Sequence, residues 1–273
     1  MGIELFGRRA VLTVGAVQID GLRIAFKIAQ SDKPEPNSSE ITIHNLSEDT
    51  RGQIQNRELT VVLEAGYGDD IAQIFYGDIR KDGISTKRSG TDWVTTIKSL
   101  DGGEAYANAR IQESFAAGTK LVPVLKKLAR RTGVGLGNAI KKLSSGDASG
   151  ALTEFFDGVT LSGRSSKEMD RILRSAGYDY SVQDGQLQVT SIGDATDQTA
   201  VLLSASTGLI GSPEPGAKGL TKFKSLLQPT IRPRRKVRLE TEQLSGFYVV
   251  RRVMHTGDTF GEPWYSEIEA TQL

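Results

Sequence analysis

Cysteine is absent from the 273 residues, which excludes disulfides, thiolate zinc sites, iron–sulfur clusters and cysteine nucleophiles. Histidine is nearly as scarce: His44 and His255 are the only two, and they leave little imidazole chemistry. No stretch approaches the roughly 20 unbroken apolar residues of a membrane-spanning helix. Residues 1–9 also lack the basic-then-apolar order of a secretory signal. Stable membrane insertion and secretion by that route are not expected, and no cofactor, metal site or catalytic residue stands out by inventory.

Charge of one sign is also in short supply overall, with 34 Lys and Arg against 33 Asp and Glu for a net +1. The distribution is uneven. Residues 114–146 hold seven bases (Lys120, Lys126, Lys127, Arg130, Arg131, Lys141 and Lys142) and no acid. Residues 218–238 hold eight more without an acid, leaving the rest of the chain at −14. Separate acidic and basic surfaces suit self-assembly or contact with charged neighbours, nucleic acid among them. Hydrophobic residues at 38% and 30 glycines give ordinary globular apolar content, and the length suits about two domains.

The first hundred residues read as strands at 10–14, 23–29, 40–45, 59–65, 73–79 and 92–100, because short apolar and β-branched runs alternate with turn chemistry. Ser47 caps a short helix reaching Ile54. After Gly118-Thr119 the period changes from two to about 3.6. Leu121, Leu125 and Leu128 share a helical face, Pro123 fits only the first turn, and Gly133 is a stop. Weaker helical pieces follow at 139–143 and 151–156. Ser165-Ser166-Lys167-Glu168 matches a capping box before the stripe Met169, Ile172, Leu173 and Ala176, and Gly177 ends that helix. Tyr178, Tyr180 and Val182 then alternate into an Asp184-Gly185 turn, and Leu187 and Val189 alternate back as a hairpin. A glycine- and proline-rich passage at 207–216 precedes strands at 236–240, 246–256 and 264–270. The expectation is an α+β, mainly β chain. Residues 1–115 form a β-barrel portion, 116–195 an inserted α/β module with a helix plus β-hairpin, and 196–273 a C-terminal β portion that can complete a barrel with the first.

Motifs that suggest chemistry are weak. Gly133-Val134-Gly135-Leu136-Gly137 has no leading strand and no Gly-Lys-Ser/Thr ending, so it reads as a helix terminus and linker rather than a phosphate loop. Gly66-Tyr67-Gly68-Asp69-Asp70 offers two adjacent acids where a calcium cage needs spaced ligands, and reads as a hairpin tip. His255-Thr256-Gly257-Asp258 places the C-terminal histidine near a carboxylate, but without a nucleophile it reads as a strand-to-turn pair.

Several segments taken in order resemble bacteriophage baseplate hub proteins of the late-control D-like family. They are Phe75-Tyr76-Gly77-Asp78-Ile79, Ser99-Leu100-Asp101-Gly102, and Gly118 ahead of Val124-Leu125-Lys126-Lys127-Leu128-Ala129. Further along come Gly163, the Ser165 helix and hairpin, Thr207-Gly208-Leu209-Ile210-Gly211-Ser212-Pro213, and Gly246-Phe247-Tyr248-Val249-Val250 leading to His255-Thr256-Gly257-Asp258. The resemblance implies a tail-tube-like β-barrel with an inserted module, assembled as a homotrimer. It also implies a non-enzymatic ring in the virion, made in the host cytoplasm. Its partners would be the tail tube protein, the central spike protein and other baseplate proteins, with transient contact with DNA during ejection.

Two other readings stand beside it. The basic segments would suit a nucleic-acid-binding protein, although no aromatic residues interleave them as stacking platforms. Asp78, Asp101 or Asp258 would serve a carbohydrate-acting enzyme if two carboxyls converged. The run Arg232-Pro233-Arg234-Arg235-Lys236-Val237-Arg238 is the candidate assembly interface, through Arg232, Arg234, Arg235, Lys236 and Arg238. Alternation there sends Val237 and Leu239 to the core and Lys236 and Arg238 outward.

Overall fold

Alternating burial along the chain builds a structure in which strand outweighs helix, 54% to 18%, the mainly β class expected. The computed structural model describes residues 6–55, 59–145, 154–155, 157–196, 198–242 and 244–273. The first flank begins with β1 (Arg8–Val14), β2 (Val17–Ile19) and β3 (Ile24–Ser31), the last of which buries every second residue from Ile24 to Gln30. β4 (Ser38–His44) follows, then α1 (Glu48–Ile54), whose N-cap Ser47 Oγ accepts from the Thr50 amide at 3.1 Å. β5 (Thr60–Tyr67), β6 (Asp70–Ser89) and β7 (Asp92–Leu100) complete the flank, with Gly68-Asp69 at the expected hairpin tip.

β6 is far longer than the strand expected at 73–79. A register shift between Ile79 and Ile84 carries it onward, with Asp82 at φ 56°. Gly83 permits the bend, since a Cβ there would lie 2.5 Å from the Lys98 carbonyl oxygen.

The chain divides into two compact units, one built from residues 1–31, 37–100 and 196–273, the other from 32–36 and 101–195. The division falls between Leu100 and Asp101, so residues 101–115 lie in the inserted unit. That unit contains α2 (Gly103–Asn108), β8 (Arg110–Phe115), β9 (Thr119–Lys120), α3 (Leu121–Thr132), α4 (Ala139–Ser145), β10 (Glu154–Phe155), β11 (Val159–Arg164), α5 (Ser165–Ser175), β12 (Tyr178–Gln183) and β13 (Gln186–Ser191). Three two-stranded ladders, β8 with β11, β9 with β10 and β12 with β13, surround a core drawn from α3, α5 and the hairpin. Pro123 sits in the first turn of α3 and Gly133 caps its end at φ 70°, as expected. Asp184 and Gly185 both take positive φ, 56° and 70°, the geometry of a two-residue hairpin turn. Only Glu154–Phe155, of the helical piece expected at 151–156, falls among the described residues together with none of the rest, and it is a strand.

The capping box expected at Ser165 and Glu168 does not form. β11 runs into α5 without a break, so Arg164 holds the N-cap position and Ser165 is already helical and buried. The Ser165 amide donates to Ala109 O at 2.8 Å, and Glu168 instead pairs with Arg171 at 2.6 Å.

The second flank returns to the first unit with β14 (Val201–Leu203), β15 (Leu209–Pro215), β16 (Thr221–Leu226), β17 (Lys236–Glu240), β18 (Ser245–Asp258) and β19 (Trp264–Gln272). The passage at 207–216, read from sequence as a break, contains the edge strand β15. Pro213 and Pro215 are tolerated there because an edge needs no donor on its open side. Among the described residues thirteen strands make one sheet along β15-β16-β19-β18-β3-β4-β7-β6-β5-β1-β2, with β17 paired to β18 and β14 to β17. β18 is the hinge of this topology. Its first half pairs with β17 and its second with β3, while β19 lies along its other side. One core forms among β1 to β7 with Leu227 and Trp264, and another among β14 to β19. The first core thus draws on both flanks of the sequence and the second on the C-terminal flank alone, the two lying on one sheet through β18, and among the described residues the hydrogen-bonded path ends at β15 and β2 without closing.

Candidate assembly surface

β17 carries the end of the basic run, and its alternation follows the expected register. Val237 and Leu239 are fully buried, Arg238 is exposed and Lys236 is half-buried. The residues ahead of it behave otherwise. Arg232 turns inward, its guanidinium donating to the Gln73 carbonyl of β6. Arg234 takes φ 65°, its amide donates to Val250 O at 2.8 Å, and its side chain is only 5% exposed. Arg235 donates to Thr199 O at 3.2 Å and Thr230 O at 2.8 Å. Desolvation, followed by the neighbouring Arg232 charge, lowers its pKa. Five cations in sequence therefore do not make five surface cations. Arg232 and Arg235 through their guanidinium groups, and Arg234 through its amide, tie a strand-free segment to backbone carbonyls, and the buried Arg234 is the member of the candidate interface least exposed at the surface.

Arg238 stays at the surface. Its guanidinium pairs with Glu240 at 2.6 Å and lies 5.9 Å from the ring centre of Phe247, its register partner on β18. The earlier basic segment is partly neutralised in place. Although desolvation works against ionisation, Lys127 at 3.1 Å and Arg131 at 3.3 Å hold the Glu113 carboxyl below its usual pKa. Lys126 and Arg130 remain exposed on α3.

The candidate catalytic groups occupy structural positions. His255 and Asp258 are three residues apart on one strand and so point to opposite faces. His255 is fully buried with Nδ1 2.8 Å from Ser266 Oγ. Asp258 accepts from Arg23 at 2.7 Å and from the Phe260 amide at 3.0 Å. Burial opposes ionisation of Asp258, yet Arg23 and that amide keep its pKa low, the reverse of what a general acid needs. Asp78 accepts from the Thr60 hydroxyl at 3.1 Å. Asp101 belongs to the other unit, where its two oxygens cap the hairpin turn by accepting from the amides of Asp184 at 2.9 Å and Gly185 at 2.6 Å. Among the described residues no three His, Asp or Glu side chains converge as a metal site.

The glycine loop after α3 is consumed by the same hairpin. Gly135 donates to Gly185 O and accepts from Leu187, each within 2.9 Å, and the Gly137 amide reaches Gln186 Oε1 at 3.2 Å. Those groups are committed to protein partners rather than to a phosphate. Sequence reasoning missed the exposed row beside Arg238, where Leu202 is its register partner on β14 and Phe247 its partner on β18. Their exposures are 40% and 47%. A large apolar residue on the outer side of a strand was the available signal.

The family model described as baseplate hub gp41 matches residues 9–270. Among solved structures, the chain is similar to the 43 kDa tail protein of prophage MuSo2 from Shewanella oneidensis, with a TM-score of 0.69 and 10% identity over 97% of this chain and 98% of that one. A tail protein from Neisseria meningitidis MC58 gives 0.67 and 10% identity over 98% and 97%. The E. coli c3393 protein, a component of the type VI secretion system with structural similarity to T4 bacteriophage tail proteins gp27 and gp5, gives 0.63 and 9% identity over 96% and 76%. Among curated proteins no sequence matches the chain.

Proposed function

The chain belongs to the baseplate hub gp41 family and is a structural protein of the phage tail; from that premise we propose that it forms a homotrimeric ring joining the tail tube to the central spike around the DNA passage. The observation that supports this reading is the pair of separate cores on one continuous sheet through β18. Two such elements per copy, repeated three times, present six similar faces. That arrangement lets a threefold assembly meet a sixfold tube. The open ends of the sheet path supply unpaired strand edges that neighbouring copies cover, and rotational closure keeps the association finite.

Its place is the baseplate of the virion. Its partners are further copies of itself, the tube protein, the spike protein and other baseplate components, with DNA only in transit. No turnover is assigned to it, since the carboxylates and the buried histidine weighed as catalytic groups are engaged in holding turns and strands. Multi-angle light scattering on the full chain with its tube or spike neighbour tests the reading. Three copies per particle support it, and a persistent monomer bound to that neighbour overturns it.

A further inference from the structure

The turn between β18 and β19 presents a large apolar side chain on an unusually well-braced support. Phe260 is 72% exposed at its tip. Beneath it Arg23 grips the Asp258 carboxylate at 2.7 Å, and that carboxylate accepts from the Phe260 amide at 3.0 Å. Thr259 exchanges bonds with Ile24, each at 3.0 Å, and Arg8 donates to Gly261 O at 2.5 Å. A loop tip that only needed to be soluble would carry a polar residue. A Phe held in one place loses little entropy on binding and has the character of an interface anchor.

At the opposite end of β18 lies a surface of matching kind. Leu202, Arg238 and Phe247 are register neighbours across β14, β17 and β18, and the Leu273 amide donates to Phe247 O at 2.9 Å, extending the row. Leu202, Phe247 and Leu273 are 40%, 47% and 62% exposed. The charges are complementary. Lys236 and Arg238 share the outer face of β17, while the tip carries Glu262. Lys236 is half-buried and Glu262 exposed.

We propose that the Phe260 tip of one copy docks on the Leu202–Arg238–Phe247–Leu273 row of the next, with Glu262 facing Lys236, making a head-to-tail contact that closes the ring. The inference rests on the trimer reading above and names the surfaces that would make it. The two sites sit at the ends of one strand, about 40 Å apart at roughly 3.3 Å per residue. Two different surfaces in contact form a heterologous interface, which yields a ring when the rotation closes. A threefold rotation over that separation sets the contacts roughly 23 Å from the axis.

The chain has no cysteine, so introduced pairs give unambiguous cross-links. Phe260→Cys is combined in turn with Leu202→Cys, Phe247→Cys and Leu273→Cys in the full chain, which is oxidised alone and in assembled tails. At least one pair should give covalent trimers on a denaturing gel, with Phe260→Cys alone giving none. Phe260→Ser should lower the ring fraction at least tenfold. Glu262→Lys should also weaken assembly, and Lys236→Glu added to it should restore the ring. Wild-type rings of three copies with no cross-link from any pair, and with Phe260→Ser assembling normally, overturn this contact and leave the trimer standing. A wild-type chain that is never trimeric, alone or in tails, overturns both.

Discussion

Acidification should destabilise the sheet unit through His255, and the size of the effect follows from where that ring sits. Burial, aided by the Arg232 charge, lowers its pKa from 6.5 to about 3, with a weaker contact to the Ile231 backbone acting the other way. Between those two values the unfolded chain takes up a proton that the folded chain refuses. Stability is therefore full above pH 6.5 and falls as pH falls, by about 1.4 kcal/mol per unit once well below 6.5. By about pH 4 the loss attributable to this one residue reaches roughly 3 kcal/mol, a large share of a typical domain's stability. Both tryptophans, Trp93 and Trp264, lie in the same unit as His255, so their fluorescence in urea titrations follows that unit. The comparison is between the wild type and His255→Gln at pH 7, 6, 5 and 4. The carboxylates titrate alike in both, so the difference in slope isolates the imidazole. Parallel stability curves across that range would refute the reasoning.

Gly257→Ala should destabilise the same unit by about 1–3 kcal/mol, read by the same titration at pH 7, because its Cβ would enter the Phe26 ring and lie 2.8 Å from Trp264 Cε3. Asp101→Ala should remove about 2–4 kcal/mol from the inserted unit by leaving two hairpin amides without their carboxylate. Hydrogen exchange at Asp184 and Gly185 should accelerate at least tenfold, and unchanged exchange would remove that role. Arg234→Glu should lower the melting temperature sharply, since it reverses a side chain only 5% exposed, whereas Arg238→Glu should leave melting nearly unchanged and weaken assembly in a salt-dependent way. Equal thermal effects of the two would contradict the inward course of the basic run.

Local chemistry announced local structure well. Ser47 as a cap, Gly133 as a stop and Asp184-Gly185 as a turn act within a few residues of themselves, and each behaves as its chemistry dictates. What escaped was set by distant partners. β8 pairs with β11 across a long sequence gap, so no local pattern places residues 110–115 in the inserted unit. Ser165 fails as a cap because the β8 ladder and the Ala109 carbonyl hold the entering strand until the helix begins. The basic run was visible as charge, but charge does not state direction. Arg232 and Arg235 found backbone carbonyls, and of the two cations left on the outer face of β17, Lys236 and Arg238, the second is marked by its aromatic register partner rather than by its neighbours in sequence.

The ring at the junction of tube and spike can be seen directly. Electron cryomicroscopy of assembled tails carrying a tag on this chain should place three copies around the axis where the tube ends and the spike begins. Six copies repeating along the tube, or a tag lying away from the axis, would contradict it.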